Sequence, residues 1–274
     1  MRVLMTGASG DIGSWLRKLL PPIYGGLVLS DVREPDDLQE NESFVQADLS
    51  DYSAVEKAVT GIGGIIHLGG HSVEGPWETI LQSNIIGTYN VFEAARRNEV
   101  KRIVFASSNH VVGYYPRCRR FGTDILPLPD SRYGVSKAFG ESVGALYANK
   151  YGLGVLCIRI GNVNDRPVDE RRLSIWLKPE DLVSLIRIGL EREELGFEVV
   201  YGISNNSRAF WDNGRAYEMG YVPSGKAEEF AEEALEKQKA LPKDEVGDFF
   251  QGGPFCSAEF SASMFDEGNK GEGE

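Results

Sequence analysis

The chain has 274 residues, 42% of them hydrophobic and 26% charged, enough for one large domain or for a domain with a modest lobe. A formal net charge of −12 argues against a nucleic-acid partner, because little here would neutralise phosphates. Three sparse cysteines, Cys118, Cys157 and Cys256, share no metal or redox spacing, which points to reduced thiols in a cytoplasmic protein without a metal site.

The start, MRVLMTGASG, runs from a short apolar strand directly into a glycine turn. It has no signal-peptide core, and no apolar run approaches membrane-spanning length. Further apolar runs follow at GLVLSD, SFVQAD, GIIHLGG, RIVFASS and GVLCIRIG, and a seventh strand is expected at EVVYGI, 198–203. Amphipathic stretches such as DIGSWLRKLL, YSAVEKAVTG, TILQSNIIGTYNVFEAARR and YGVSKAFGESVGALYANKYG separate most of them. Continuous apolar strands alternating with helices predict an α/β, doubly wound (Rossmann) parallel sheet of about seven strands. Cys157, inside VLCIRI, reads as a small core residue. Beyond residue 160 the pattern loosens: GNVNDRPVDERRLSIW reads as a loop, PEDLVSLIRIGLERE as a helix and 226–240 as a charged helix. The expected organisation is a dinucleotide-binding domain over 1–160 and a small substrate-binding lobe over 161–255 that shares the sheet. A flexible acidic tail is expected over 256–274.

The first strand ends in Thr6-Gly7-Ala8-Ser9-Gly10-Asp11-Ile12-Gly13. Glycines there let the backbone approach a pyrophosphate seated at the helix N-terminus. Their spacing is G-x-x-G-x-x-G, a weak signal alone; a ligand-free glycine turn is the plain alternative. Asp31, ending the second strand, stands where a carboxylate reaches the adenosine ribose and repels a 2′-phosphate, favouring NAD over NADP. Arg33 argues the other way, since a nearby arginine accommodates that phosphate. Asp48, in QADLSD, is placed to reach the adenine amino group or to cap the next helix.

Ser107, Ser108, Asn109 and His110 follow the strand RIVFA and so emerge at the carboxyl edge of the sheet, where ligands of such folds bind. Tyr133 opens a long helix, and Lys137 lies one turn on along the same face. A phenol with an ordinary pKa near ~10 is a poor base at neutral pH, but a neighbouring ammonium favours its anion. Ser108 then hydrogen-bonds the oxygen whose proton Tyr133 takes.

In order along the chain, TGASGDIG, the ADL after the third strand, HLGG, NIIGTYNV, FASS and YGVSK resemble the extended short-chain dehydrogenases/reductases over most of the first 160 residues. That resemblance implies Ser108, Tyr133 and Lys137 as the catalytic triad, with Asn84 supporting an active-site water or the helix near Lys137. The plain alternative for Asn84 is a helix kink. It further implies a cofactor site at Gly7, Gly10, Asp11 and Ile12, at Asp31, Asp48 and Leu49, and at Leu68, Gly69, Gly70 and Ile160, beside Tyr133 and Lys137. Within the family, HLGGHSVEGPWE, LQSNIIGTYN, FASSNHVVGYYP, RIGNVN, RRLSIW and FQGGPF are similar to the uronate dehydrogenases, to about Phe255.

The closer resemblance implies NAD-linked oxidation of D-galacturonate or D-glucuronate at C1 to an aldarolactone. Arg171 would hold the substrate carboxylate through two parallel hydrogen bonds. Arg172 is adjacent, so the assignment leaves the two open, and a solvated arginine in a charged loop is the plain alternative for Arg171. By the same match Ser72, Asn109 and His110 bind sugar hydroxyls; a structural histidine bonded to backbone is the alternative for His110. Phe255 closes one side of the pocket or anchors the C-terminal segment, and His71 has no functional account. A neutral-aldose or sugar-phosphate dehydrogenase is the main alternative, ahead of an epimerase or dehydratase. A non-catalytic NAD-binding module is disfavoured because Ser108, Tyr133 and Lys137 are all present. Self-association through the helices carrying NIIGTYNV and YGVSK is expected.

Overall fold

The computed structural model describes residues 1–264. Its strands are β1 (Val3–Thr6), β2 (Leu27–Asp31), β3 (Glu42–Gln46), β4 (Gly64–His67), β5 (Arg102–Ser108), β6 (Gly154–Ile160), β7 (Asn162–Val163), β8 (Trp176–Leu177) and β9 (Phe197–Gly202). The short β7 and β8 pair with each other; the other seven form one sheet in the order β3-β2-β1-β4-β5-β6-β9. Every pairing in that sheet is parallel.

The unbroken apolar runs follow from burial on both faces. Val3 and Met5 of β1, Leu29 of β2 and Leu156 and Ile158 of β6 pack in one core layer with helices Asp11–Leu19 and Pro179–Glu191. Leu4, Val28, Val155 and Cys157, one residue out of step, enter the opposite layer with helices Tyr52–Val59, Gly87–Arg97 and Arg132–Tyr151. Successive side chains of a strand alternate between faces, so a strand covered on both sides is apolar at every position. Each large apolar side chain fully removed from water contributes about 1.5–3 kcal/mol. Cys157 is fully buried, as its apolar run predicts.

Topology then positions the site. The chain leaves β3 at one edge and returns on the far side of β1 as β4, so a crevice opens at the carboxyl ends of β1 and β4. Ser108 pairs in register with Ile160, which brings the ends of β5 and β6 to the same edge.

Two expectations need correction, and a third is sharpened. The stretch 161–176 is not all loop: it holds β7, helix Glu170–Ile175 and the start of β8. Elements this short show no periodicity, and the helix is started by the Asp169 carboxylate, which accepts from Arg172 N at 2.8 Å. The charged helix expected over 226–240 is present as helix Ala231–Gln238, entered through a 3₁₀ turn, Ala227–Phe230. Contacts with the body also continue past residue 255: Cys256 is fully buried and Glu259 pairs with Arg132 at 2.7 Å. The remainder of the expected tail, 265–274, lies outside the described residues.

Candidate active site

One cleft of about 920 Å³ runs along the carboxyl edge of the sheet. Its first half is made of backbone. Gly7 has φ +69°, and a Cβ there would come within 2.7 Å of Gly69 N. The turns after β1 and β4 therefore touch, which only a glycine in the left-handed region allows. Gly13 sits against the carbonyl of Ala8, where a Cβ would approach to 2.5 Å. Helix Asp11–Leu19 begins at Gly10 without a side-chain cap, so its first N–H groups stay free to meet an anion. A close-packed glycine cradle ahead of an uncapped helix fits a dinucleotide pyrophosphate.

Asp31 stands beside it. One carboxylate oxygen accepts from Ser9 N at 3.0 Å and the other from Val32 N at 2.7 Å, which aims the group along the cleft. Arg33 lines the same wall and is exposed. Asp48 accepts from Ser50 N and Ser50 Oγ at 2.9 and 2.8 Å. It does not cap the next helix; Asp51 does, accepting from Ser53 N and Ala54 N. Leu49, Leu68, Gly69, Gly70 and Ile160 complete this half. Asn90, which the sequence did not single out, fixes the loop behind Asp48 by donating to Leu49 O at 2.8 Å and Ser50 O at 3.2 Å.

Side chains build the second half. Tyr133 is almost wholly buried at the start of helix Arg132–Tyr151, which Ser131 caps. Lys137 Nζ donates to Ala106 O at 2.8 Å and lies 5.5 Å from the Tyr133 ring centre. Burial lowers the Lys137 ammonium to about 8. The Tyr133 phenol is pushed up to about 12 by burial, opposed by the neighbouring Ser108 hydroxyl and reinforced by the Asp130 carboxylate. The Lys137 ammonium, expected to favour the phenolate, is directed at the Ala106 carbonyl.

Ser108 ends β5 and accepts from His110 N at 3.2 Å, opening the short turn Asn109–Val112. His110 is bonded not to backbone, as its structural alternative supposed, but to Asp130, with Nδ1 2.6 Å from Oδ2. Its ring stacks on Phe255 at 3.8 Å and meets Tyr133 edge-on at 5.8 Å. Ser72 is exposed where it lines the cleft. Asn84 does not line it. Placed in the π-helical turn Leu81–Ile86, it accepts from His71 N at 2.7 Å and donates to His71 O and to Ser136 Oγ, each at 2.9 Å. It thus ties the loop before Ser72 to the helix of Tyr133 and Lys137, which also gives His71 a place: its backbone is the anchor.

Arg171 and Arg172 both line the cleft but differ in their partners. The Arg172 guanidinium pairs with Asp169. Arg171 has no ion pair among the described residues; its Nε donates to Gln251 O at 2.8 Å. With the Asn109 amide turned to suit its neighbours, the amide oxygen accepts from Arg171 Nη2 and its nitrogen donates to Ile160 O, both at 3.1 Å. Burial, with Arg172 and Arg117 nearby, lowers the Arg171 guanidinium to about 10. Such a cation is relieved by an anion.

Gln251 is the support that sequence reading missed. It is fully buried, donates to Pro116 O and Arg119 O and accepts from Trp211 Nε1. Its main chain donates to Tyr115 O. This one residue holds the C-terminal segment that carries Phe255 and aligns Arg171. Glu74 is a second: it accepts from Tyr133 N at 3.0 Å and pairs with Arg132. Among the described residues no cluster of His, Cys, Asp or Glu is fit to hold a metal. No helix there is long and apolar enough to cross a membrane.

The NAD dependent epimerase/dehydratase family model matches residues 3–166. A uronate dehydrogenase of Agrobacterium fabrum is 44% identical over 93% of this chain and 96% of its own length. Among solved structures, glucuronic acid dehydrogenase from Chromohalobacter salexigens superposes with a TM-score of 0.90 at 42% identity, over 93% of this chain and 96% of the other. A mutant of Agrobacterium tumefaciens uronate dehydrogenase complexed with NAD gives 0.89 at 42% identity, over 97% and 99%. The chain therefore belongs to the NAD dependent epimerase/dehydratase family, on the branch of that family that holds the uronate dehydrogenases.

Proposed function

We propose that the protein is an NAD-dependent dehydrogenase that oxidises D-galacturonate or D-glucuronate at C1 to the aldarolactone. The observation that carries this reading is Arg171, a guanidinium with no ion pair among the described residues, in the cleft that also holds Ser108 and Tyr133. A substrate carboxylate supplies the missing charge, and a planar fork holds it at two points.

The backbone cradle at Gly7 and Gly10 takes the pyrophosphate, and Asp31 takes the adenosine ribose. NAD, when bound, supplies the hydride acceptor. Tyr133 removes the proton from the anomeric hydroxyl while Ser108 hydrogen-bonds the same oxygen. Lys137, buried beside the ring, holds positive charge where the phenolate forms. Asn109, Ser72 and His110 meet the sugar hydroxyls, and Phe255 closes one side of the pocket. Asn84 acts through others, by fixing the loop of His71 and the helix of Tyr133.

The reading extends to a cytoplasmic protein, supported by unpaired cysteines at 118, 157 and 256. It also extends to a homo-oligomer formed through helices Gly87–Arg97 and Arg132–Tyr151, on which Tyr89, Leu146 and Tyr151 are exposed. The test of function is the absorbance of NADH with galacturonate, glucuronate, galactose, glucose and glucose 6-phosphate offered separately. Turnover of the uronates well above the rest is expected. Turnover of only neutral or phosphorylated sugars overturns the uronate assignment.

A further inference from the structure

Asp130, the partner of His110, is held on several sides near the cleft. Its Oδ1 accepts from Ser131 Oγ at 2.7 Å, and its main-chain N–H donates to His110 O at 3.3 Å. Gly113 and Gly252 leave room for the carboxylate: a Cβ on either would lie 1.8 or 1.9 Å from Oδ2. The group is thus confined between two glycines and faces His110 Nδ1 at 2.6 Å.

We propose that Asp130 is a positioning residue that locks His110 in the Nδ1–H tautomer, so that Nε2 offers a lone pair to a sugar hydroxyl and the substrate carboxylate turns to Arg171. A carboxylate accepts and does not donate, so the proton between the two groups belongs to Nδ1. Burial holds the imidazole pKa below its ordinary value, outweighing the pull of Asp130 toward the cation. Of the other charged groups around it, Arg171 acts with burial and Glu74 against it. Cys256 Sγ, 3.9 Å from Asp130, completes the set. A neutral ring with hydrogen on Nδ1 carries an acceptor at Nε2, which has no hydrogen-bond partner among the described residues. Hydroxyls give a proton to such a lone pair; carboxylate oxygens have none to give. The cleft would then sort the two ends of a sugar acid by hydrogen-bond polarity, with His110 taking the hydroxyl and Arg171 the acid. Phe255, stacked on the ring, keeps Nε2 aimed.

The inference rests on the uronate reading, and the test keeps the two apart. Nitrogen-15 NMR of the imidazoles in the wild-type protein reads the tautomer directly, with the His110 signal assigned from a His110→Gln variant. Protonated Nδ1 and bare Nε2 near neutral pH are expected. In Asp130→Ala the tautomers should mix and the KM for galacturonate should rise about tenfold or more, with NAD affinity unchanged. A wild-type ring protonated at Nε2 overturns the inference, as does an Asp130→Ala variant with unchanged KM. If the variant also loses NAD affinity it has lost its fold, and the wild-type tautomer decides alone. A protein that oxidises no uronate refutes the functional reading and leaves the tautomer measurable; a uronate dehydrogenase with the other tautomer refutes this inference only.

Discussion

The two halves of the cleft are built on different principles. The cofactor half is a place where side chains are missing: Gly7 and Gly13 bring turns and helix so close that a Cβ would collide with backbone. The substrate half depends on side chains from segments distant in sequence. His110, Asp130, Arg171 and Phe255 meet there because Gln251 and two glycines pin the C-terminal segment beneath them. A half made of backbone should resist polar substitution and fail on added atoms, whereas a half made of side chains should fail the other way.

The largest effect expected is on chemistry with cofactor binding spared. Tyr133→Phe should lower kcat by about 10³-fold, with NAD affinity retained in titration. A variant that keeps turnover, or loses NAD binding as its main defect, breaks the division between the halves. Next comes the converse. Gly7→Ala places a side chain at φ +69° and within 2.7 Å of Gly69 N. Strain of about 1–2 kcal/mol from the backbone alone should weaken NAD binding roughly tenfold, measured by the same titration.

The smallest effect concerns Lys137, which touches both halves. Its pKa is about 8 in the folded protein against 10.5 when exposed. The unfolded chain therefore binds more protons between those values, and stability rises with pH across that window. Urea melts from pH 7.5 to 10 should show the rise in wild-type protein and a flatter curve in Lys137→Met. Parallel curves would mean that the burial of Lys137 does not govern its charge. Tyr133, raised to about 12, acts only at higher pH, where its contribution is lost as pH rises from 10 toward 12.

The same contrast explains what was legible in the sequence. Strands and glycine turns are local patterns: Val3 to Gly13 carry the strand, the turn and the start of the helix in consecutive residues, and Tyr133 and Lys137 lie one turn apart. All the residues that the resemblance nominated for the cofactor line the cleft. The supports of the substrate half leave no such trace. Asp130 matters through His110, twenty residues earlier, and through Gly252 far ahead of it. Gln251 joins Pro116, Arg119, Trp211 and Arg171, contacts that no spacing encodes. The residues around Arg171 looked like a loop because a six-residue helix and two-residue strands are too short to show a period. Local charge reasoning also could not show the Ala106 carbonyl that receives Lys137, which is visible only in the fold.

Recognition of the acid turns on which of two adjacent arginines reads it. Arg172 is occupied by Asp169, whereas Arg171 has no ion pair among the described residues. The kcat/KM for galacturonate, measured in Arg171→Ala and Arg172→Ala beside wild type, separates them. Arg171→Ala should lose about a hundredfold, the scale of a charge-assisted pair of hydrogen bonds, and Arg172→Ala should stay near wild type. Equal losses, or a loss confined to Arg172→Ala, would contradict the assignment of the carboxylate to Arg171.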